Sequence, residues 1–196
     1  MWQSIKDKYQ KNVLPRREAL FGVKNIMAAP KIVKVVINGR VKRGGTVNEE
    51  VVGRTLERIS GQKVVLTKAR QSISNFKIRE GMVVGAKVTL RGTRALDFLD
   101  RLVNIVFPRV RDFSGLSTLG FDGHGNYTVG LREQVVFPEV ASDDMAQVHG
   151  LEITVATTAG NNDKALVLLK ELGFPFKQGA EKKEKKRKKK ERKEKE

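Results

Sequence analysis

Seven lysines and arginines fall between Gly61 and Gly92 (Lys63, Lys68, Arg70, Lys77, Arg79, Lys87 and Arg91), against a single acid, Glu80. Apolar residues are interleaved with them, among them Val64, Leu66, Ile73, Phe76, Ile78, Val84, Val88 and Leu90. This half-buried strand pattern places cations on the face that is not core. A folded sheet with one cationic face is a phosphate-binding surface. Lysines on a sheet edge also guard against edge-to-edge pairing, but that role accounts for one or two residues rather than seven.

Other chemistry is sparse. His124 and His149 are the only histidines and cysteine is absent, so neither a zinc set nor a thiolate nucleophile is expected. His124, between Gly123 and Gly125, reads as a polar residue in a tight turn, and His149 as a loop or strand-edge residue. Asp143 with Asp144, and Asp97 with Asp100, read as solvated acids rather than as an acid-base pair. Neither a GxGxxG nor a GxxxxGK[ST] loop occurs. No catalytic residue, metal or cofactor is expected.

Across 196 residues, Lys and Arg total 39 against 22 Asp and Glu, a formal charge of +17. That balance favours a polyanionic partner, nucleic acid ahead of an anionic membrane surface. No apolar run nears the roughly 20 residues that span a bilayer, and the opening MWQSIKDKYQ lacks the apolar stretch of a secretory signal. A cytoplasmic location is expected.

The elements that must position these residues are legible in outline. Trp2, Ile5, Tyr9 and Val13 suggest two short helices or one kinked helix before Gly22. Residues 31–38, KIVKVVIN, read as a central strand. Thr46 to Glu49 has the spacing of a capping box, starting a helix with Val52, Leu56 and Ile59 on one face and Gly61 as its left-handed cap. Residues 61–92 should supply two or three strands, with a turn at Arg79, Glu80 and Gly81. Leu96, Leu99, Val103 and Val106 define an amphipathic helix from Thr93 to Phe107, stopped by Pro108. Residues 114–130 read as a long glycine-rich loop, residues 134–137 as a short strand and residues 151–157 as a strand. Asn162 is expected to cap a helix that ends at Gly173. Together these give an α+β fold, an antiparallel sheet with helices packed on one side and its uncovered face free to bind. We divide the chain into one α+β domain, 1–178, and a basic low-complexity tail, 179–196. Within that tail, residues 181–196 hold eleven basic and five acidic residues and nothing apolar, a composition expected to be disordered alone.

The segments SGQK, LTKAR, FKIREG, KVTLRG, FPRVRDFSGL, FDGHGNY, REQVVFPE, GLEITVATTA and FPF, in that order, resemble the signatures of the bacterial large-subunit ribosomal protein five family. The likeness covers about residues 1–178. It implies a structural, non-enzymatic constituent of the large ribosomal subunit that binds 5S rRNA in the central protuberance, with the same sheet-and-helix fold. By the same resemblance Asn38, Gln62, Lys63, Thr89 and Arg91 are the 5S rRNA residues. The loop bearing Arg70, Gln71, Ser74, Asn75, Lys77 and Arg79 is the tip that contacts peptidyl-site tRNA. Arg109, Arg111 and Asp112 lie on the segment that bridges to the small-subunit head, where the family meets small-subunit ribosomal protein thirteen. Large-subunit rRNA is a further implied partner, and the chain would act as a monomer within the ribosome.

Three departures from the family pattern stand out. Gly39, Arg40, Val41 and Lys42 follow Asn38 where Met-Gly-hydrophobic-Gly is usual, His124 replaces a familiar arginine, and the tail runs past the usual family end. An RNA chaperone or regulator acting off the ribosome is the alternative reading.

Overall fold

The computed structural model describes residues 3–41, 48–140 and 147–177. Trp2, Thr46, Asp143, Asp144 and the tail from residue 178 onward therefore lie outside the described residues.

The sheet has five antiparallel strands in the order β2-β3-β1-β5-β4, namely β1 (Ile32–Arg40), β2 (Val65–Lys68), β3 (Val83–Leu90), β4 (Tyr127–Leu131) and β5 (Leu151–Thr157). The central strand β1 pairs with β3 on one side and β5 on the other. Side chains alternate with period two. Val35 and Ile37 of β1, Ala86, Val88 and Leu90 of β3, and Leu151, Ile153 and Val155 of β5 are buried together. The N-terminal helices are α1 (Ile5–Lys8), which continues into the π-helical Tyr9–Val13, and α2 (Arg17–Phe21); they bury Ile5, Val13 and Phe21. The helices α3 (Glu49–Ser60) and α4 (Gly92–Arg101) lie over the apolar face of the sheet. Val52, Leu56 and Ile59 of α3 are fully buried, as the helical spacing requires, and Gly61 ends the helix at φ 64°.

Helix α4 runs on through a π-helical turn, Leu102–Val106, into a last turn, α5 (Phe107–Arg109). Pro108 is expected from the sequence to stop the helix at Phe107. Instead Pro108 lies inside the last turn of the continued helix, just after its π-helical stretch, and the backbone leaves the helix at Val110. Asp100, expected only as a solvated acid, accepts the Ile5 N–H at 2.8 Å and fixes the start of α1 against α4.

Four further expectations are corrected. Helix α3 begins at Glu49, with Asn48 as its extended N-cap and no side-chain capping bond, so Glu49 is the first helical residue and cannot close a capping box. The loop expected over residues 114–130 ends in strand β4. Gly130 hides the alternation there, but Tyr127, Val129 and Leu131 pair with Val155, Ile153 and Leu151. Residues 134–136 form a 3-10 turn rather than a strand, because the buried Gln134 side chain bonds the chain at Gln147 and His149. The last helix, α6 (Asn162–Glu171), is capped by Asn161, whose side chain accepts the Lys164 N–H at 2.9 Å. Asn162 instead accepts the N–H groups of Gly123 and Gly125 at 3.0 and 3.3 Å.

That bonding orders the glycine-rich turn. Asp122 accepts from the backbone of His124 and Asn126 and from the Asn126 side-chain amide. The Asn126 amide is the main reason its carboxyl is held below the usual 3.8. His124 thus occupies the tight turn that its flanking glycines imply.

Tyr127 packs against Phe121 and Phe176 and donates its hydroxyl to the Ser117 carbonyl at 2.9 Å. Burial pushes its pKa up to about 12, and burial also raises that of Tyr9, the other tyrosine of the chain. The neutral phenol is therefore favoured by folding. The stability that it contributes is complete below pH 10.0 and is lost as pH climbs through about 12. In an alkaline titration followed by tyrosinate absorbance, neither tyrosine should ionise at the ordinary value while the fold persists. A full tyrosine equivalent titrating near pH 10.0 in folded protein would contradict this packing.

Candidate nucleic-acid interface

The second face of the sheet is uncovered by helix and shows the opposite half of each strand. Register defines two cross-strand rows on it. Val65, Lys87, Asn38, Glu152 and Gly130 lie opposite one another across all five strands. Thr89, Val36, Thr154 and Thr128 form the neighbouring row, with the hydroxyls of Thr128 and Thr154 3.0 Å apart. Lys63 continues the face beyond β2, since Val64 turns inward against α3 and Lys63 is exposed. Arg91 continues it beyond β3, because its extended backbone (φ −138°, ψ 162°) keeps the alternation of Lys87 and Thr89.

Asn38, Lys63, Thr89 and Arg91 are thus brought to one side of the sheet. Asn38, Lys63 and Arg91 are exposed and Thr89 is half-buried. Gln62 joins them at the β2 end, where its side-chain amide donates to the Thr89 carbonyl at 3.3 Å. That bond fixes the side chain and leaves its own oxygen as an acceptor. Lys87 belongs to the same surface, as do Lys34 and Arg40. Lys87 stands in the basic block without a site of its own in the sequence, and Lys34 lies outside that block, although period-two spacing from Thr89 and Asn38 marks both.

Arg70, Gln71, Ser74, Asn75, Lys77 and Arg79 lie apart from this face, on the hairpin extension between β2 and β3, and all six are exposed. The extension is held by its own backbone. Ile73 and Ile78 exchange both hydrogen bonds, at 2.9 and 3.1 Å, and Ala69 bonds to Met82 and Gly81. Glu80 N–H donates to the Ser72 hydroxyl, and Lys77 takes a left-handed conformation at φ 53°. Phe76 is 66% exposed at the tip. The only acid of the block, Glu80, forms no ion pair with these cations among the described residues. A self-bonded cationic finger carrying an exposed aromatic ring can meet a phosphate backbone and stack on a base.

Arg109, Arg111 and Asp112 occupy a third region, the exposed turn at the end of α5, with Asp112 left-handed at φ 51°. Phe107, Val110 and Phe113 anchor this turn on the core. No group of three or more His, Asp or Glu side chains is arranged to hold a metal among the described residues. Of the titratable residues weighed for catalysis, Asp100 serves a backbone hydrogen bond, and His149 is buried beside Gln134.

These features define an α+β protein built on one antiparallel sheet, with one face packed under helices and the other polar and cationic. Comparison with known proteins gives the family. Residues 25–79 match the family model described as Ribosomal protein L5, and residues 83–176 match the model of the same ribosomal family's C-terminus. The large ribosomal subunit protein uL5 of Fervidobacterium nodosum is 52% identical over 177 residues, covering 89% of this chain and 96% of that protein. The uL5 proteins of Thermotoga sp. (strain RQ2) and Limosilactobacillus fermentum are each 49% identical. They align over 89% and 90% of this chain and 96% and 99% of their own lengths. The chain belongs to the ribosomal protein L5 family. It is accordingly a structural, non-enzymatic protein of the large subunit of the cytoplasmic ribosome.

Proposed function

We propose that the open sheet face binds 5S rRNA and helps to anchor it in the central protuberance of the large subunit, beside large-subunit rRNA. The observation that carries this is the convergence of Asn38, Gln62, Lys63, Thr89 and Arg91, with Lys87, on the one sheet face that no helix covers. Lysine and arginine hold phosphates, while the amides and the threonine hydroxyl pair with 2′-hydroxyls and base edges. The hairpin tip with Arg70, Gln71, Ser74, Asn75, Lys77 and Arg79 contacts peptidyl-site tRNA through its backbone, which suits a site that must accept every tRNA sequence. The turn with Arg109, Arg111 and Asp112 faces small-subunit ribosomal protein thirteen and bridges to the small-subunit head. One RNA-binding unit, 1–178, carries all three surfaces as a monomer within the ribosome, and residues 179–196 are an appended basic segment.

Arg91 offers the sharpest single test because it is exposed and forms no ion pair among the described residues. Replacing it with alanine disturbs nothing in the core and should weaken 5S rRNA binding by about 1.5–3 kcal/mol, the range for a hydrogen bond to a charged group. Filter binding that gives the wild-type affinity would remove Arg91 from the site.

A further inference from the structure

We propose that the open face carries a built pocket for one unstacked RNA nucleotide at the β1, β5 and β4 end of the sheet. It would be formed by Arg40 and Arg132 for phosphate and by Glu152 and Asn38 for the base. A cleft of about 620 Å³ lies there, lined by all four side chains. This rests on the reading of the open face as a 5S rRNA surface, because Asn38 belongs to both.

Register explains the cleft. Gly39, Leu151 and Leu131 stand opposite one another on the core side. One residue beyond these pairs, Arg40 and Arg132 are exposed and, with Gly150, line the cleft. The next row inward is Asn38, Glu152 and Gly130. Gly130 leaves that row without a side chain on β4, beside Glu152. A Cβ added at Gly130 would meet nothing within 4 Å, which marks open space above that strand.

Strand β1 reaches Arg40 because Gly39 can face the core where a larger residue cannot. A Cβ at Gly39 would come within 2.7 Å of Val52. Arg40 stands where the family pattern has glycine, so that departure sets a guanidinium on the open face.

The chemistry of the cleft suits a nucleotide better than a bare anion. Arg40 and Arg132 are exposed and neither forms an ion pair among the described residues. Two guanidiniums with no carboxylate partner are a phosphate-binding pair. Glu152 would repel a lone anion, but it accepts hydrogen bonds from an exocyclic amine or ring N–H of a base. The Asn38 amide supplies both a donor and an acceptor. Val148, 48% exposed on the wall, offers apolar surface to a base plane. That wall is held in place, since the fully buried Gln134 accepts from His149 N–H at 2.7 Å and donates to the Gln147 carbonyl at 3.0 Å. A preorganised wall binds without first ordering a loop.

The test is 5S rRNA binding by the full chain across a salt series, with chemical probing of unpaired nucleotides in the complex. Replacing both arginines (Arg40→Gln with Arg132→Gln) should lower affinity by tenfold or more and flatten the log-log salt dependence by about 0.7–0.9 for each phosphate no longer neutralised. Gly130→Ile sets a bulky side chain at the rim of the cleft, beside Glu152, without touching a charge. It should lower affinity with an unchanged salt slope, and both variants should expose the same nucleotide to the probe. Wild-type binding that survives both changes, with no nucleotide newly reactive, would overturn the pocket and leave the 5S rRNA reading intact. Absence of 5S rRNA binding by the wild-type chain would overturn both. An affinity that falls only with the arginines, while Gly130→Ile binds normally, would reduce the cleft to a phosphate contact and overturn the nucleotide assignment.

Discussion

A chain in which Lys63, Lys87 and Arg91 are all replaced by glutamine should bind 5S rRNA at least a hundredfold more weakly while keeping its stability. The three side chains are exposed on the open face and none joins an ion pair among the described residues. Their removal therefore leaves no buried charge behind and opens no cavity. A hydrogen bond to a charged partner is worth about 1.5–3 kcal/mol, so two independent bonds already account for the hundredfold, and the third adds to it unless they are coupled. Because each cation also releases counterions from the RNA, the log-log salt dependence should flatten by about 2–3 in total. A variant that keeps the wild-type salt slope would show that these cations do not meet phosphate, whatever its affinity.

Phe107→Ala should cost about 3–5 kcal/mol of folding stability, the range for truncating a buried aromatic residue. Phe107 is 1% exposed at the start of α5, stacked on Phe113 at 5.4 Å and meeting Phe174 edge-on at 6.4 Å. Truncation opens a cavity where three segments meet. One of them is residues 174–177, tied in by bonds from Leu116 N–H to the Pro175 carbonyl and from Lys177 N–H to the Leu116 carbonyl. Small proteins are stable by only about 5–15 kcal/mol, so the loss is a large share of the total. Denaturant unfolding should show a lower midpoint, and amide exchange should quicken first near residues 174–177. A loss under about 1 kcal/mol would mean that the site collapses around the missing ring, against the packing described.

Much of this architecture is legible in the sequence because it obeys short periods. Strand β5 follows to the residue because Leu151, Ile153 and Val155 alternate with more polar neighbours, and β1 to within two because β-branched residues crowd it. Helix α3 and its Gly61 cap follow from a clean helical stripe. Where sequence and structure part, a distant partner overrides a local signal. Strand β4 carries Gly130 on its open face, so its apolar positions do not read as a strand until β5 lies beside them. Asn162 has the composition of a helix cap, but its oxygen is taken by a turn 37 to 39 residues away. Gln134 lies in an apolar run that suggests a strand, but its amide closes a loop through Gln147 and His149.

The interface divides the same way. The cationic block announces phosphate binding from the sequence, and family resemblance divides it between rRNA and tRNA. Which side chains share a face depends on register. Register adds Lys87, and the fold brings Arg40 and Arg132 to one cleft, a relation between strands far apart in the chain that no local pattern encodes.

The most direct measurement is a nucleotide-resolution crosslinking footprint of the whole chain in assembled large subunits. Crosslinkers would be placed at Lys87 on the sheet, Lys77 on the hairpin tip and Arg111 on the turn. Lys87 should crosslink to 5S rRNA, while Lys77 should reach RNA only when peptidyl-site tRNA is bound, and Arg111 should find protein once the small subunit joins. Crosslinks from Lys87 that fall entirely outside 5S rRNA would contradict the account.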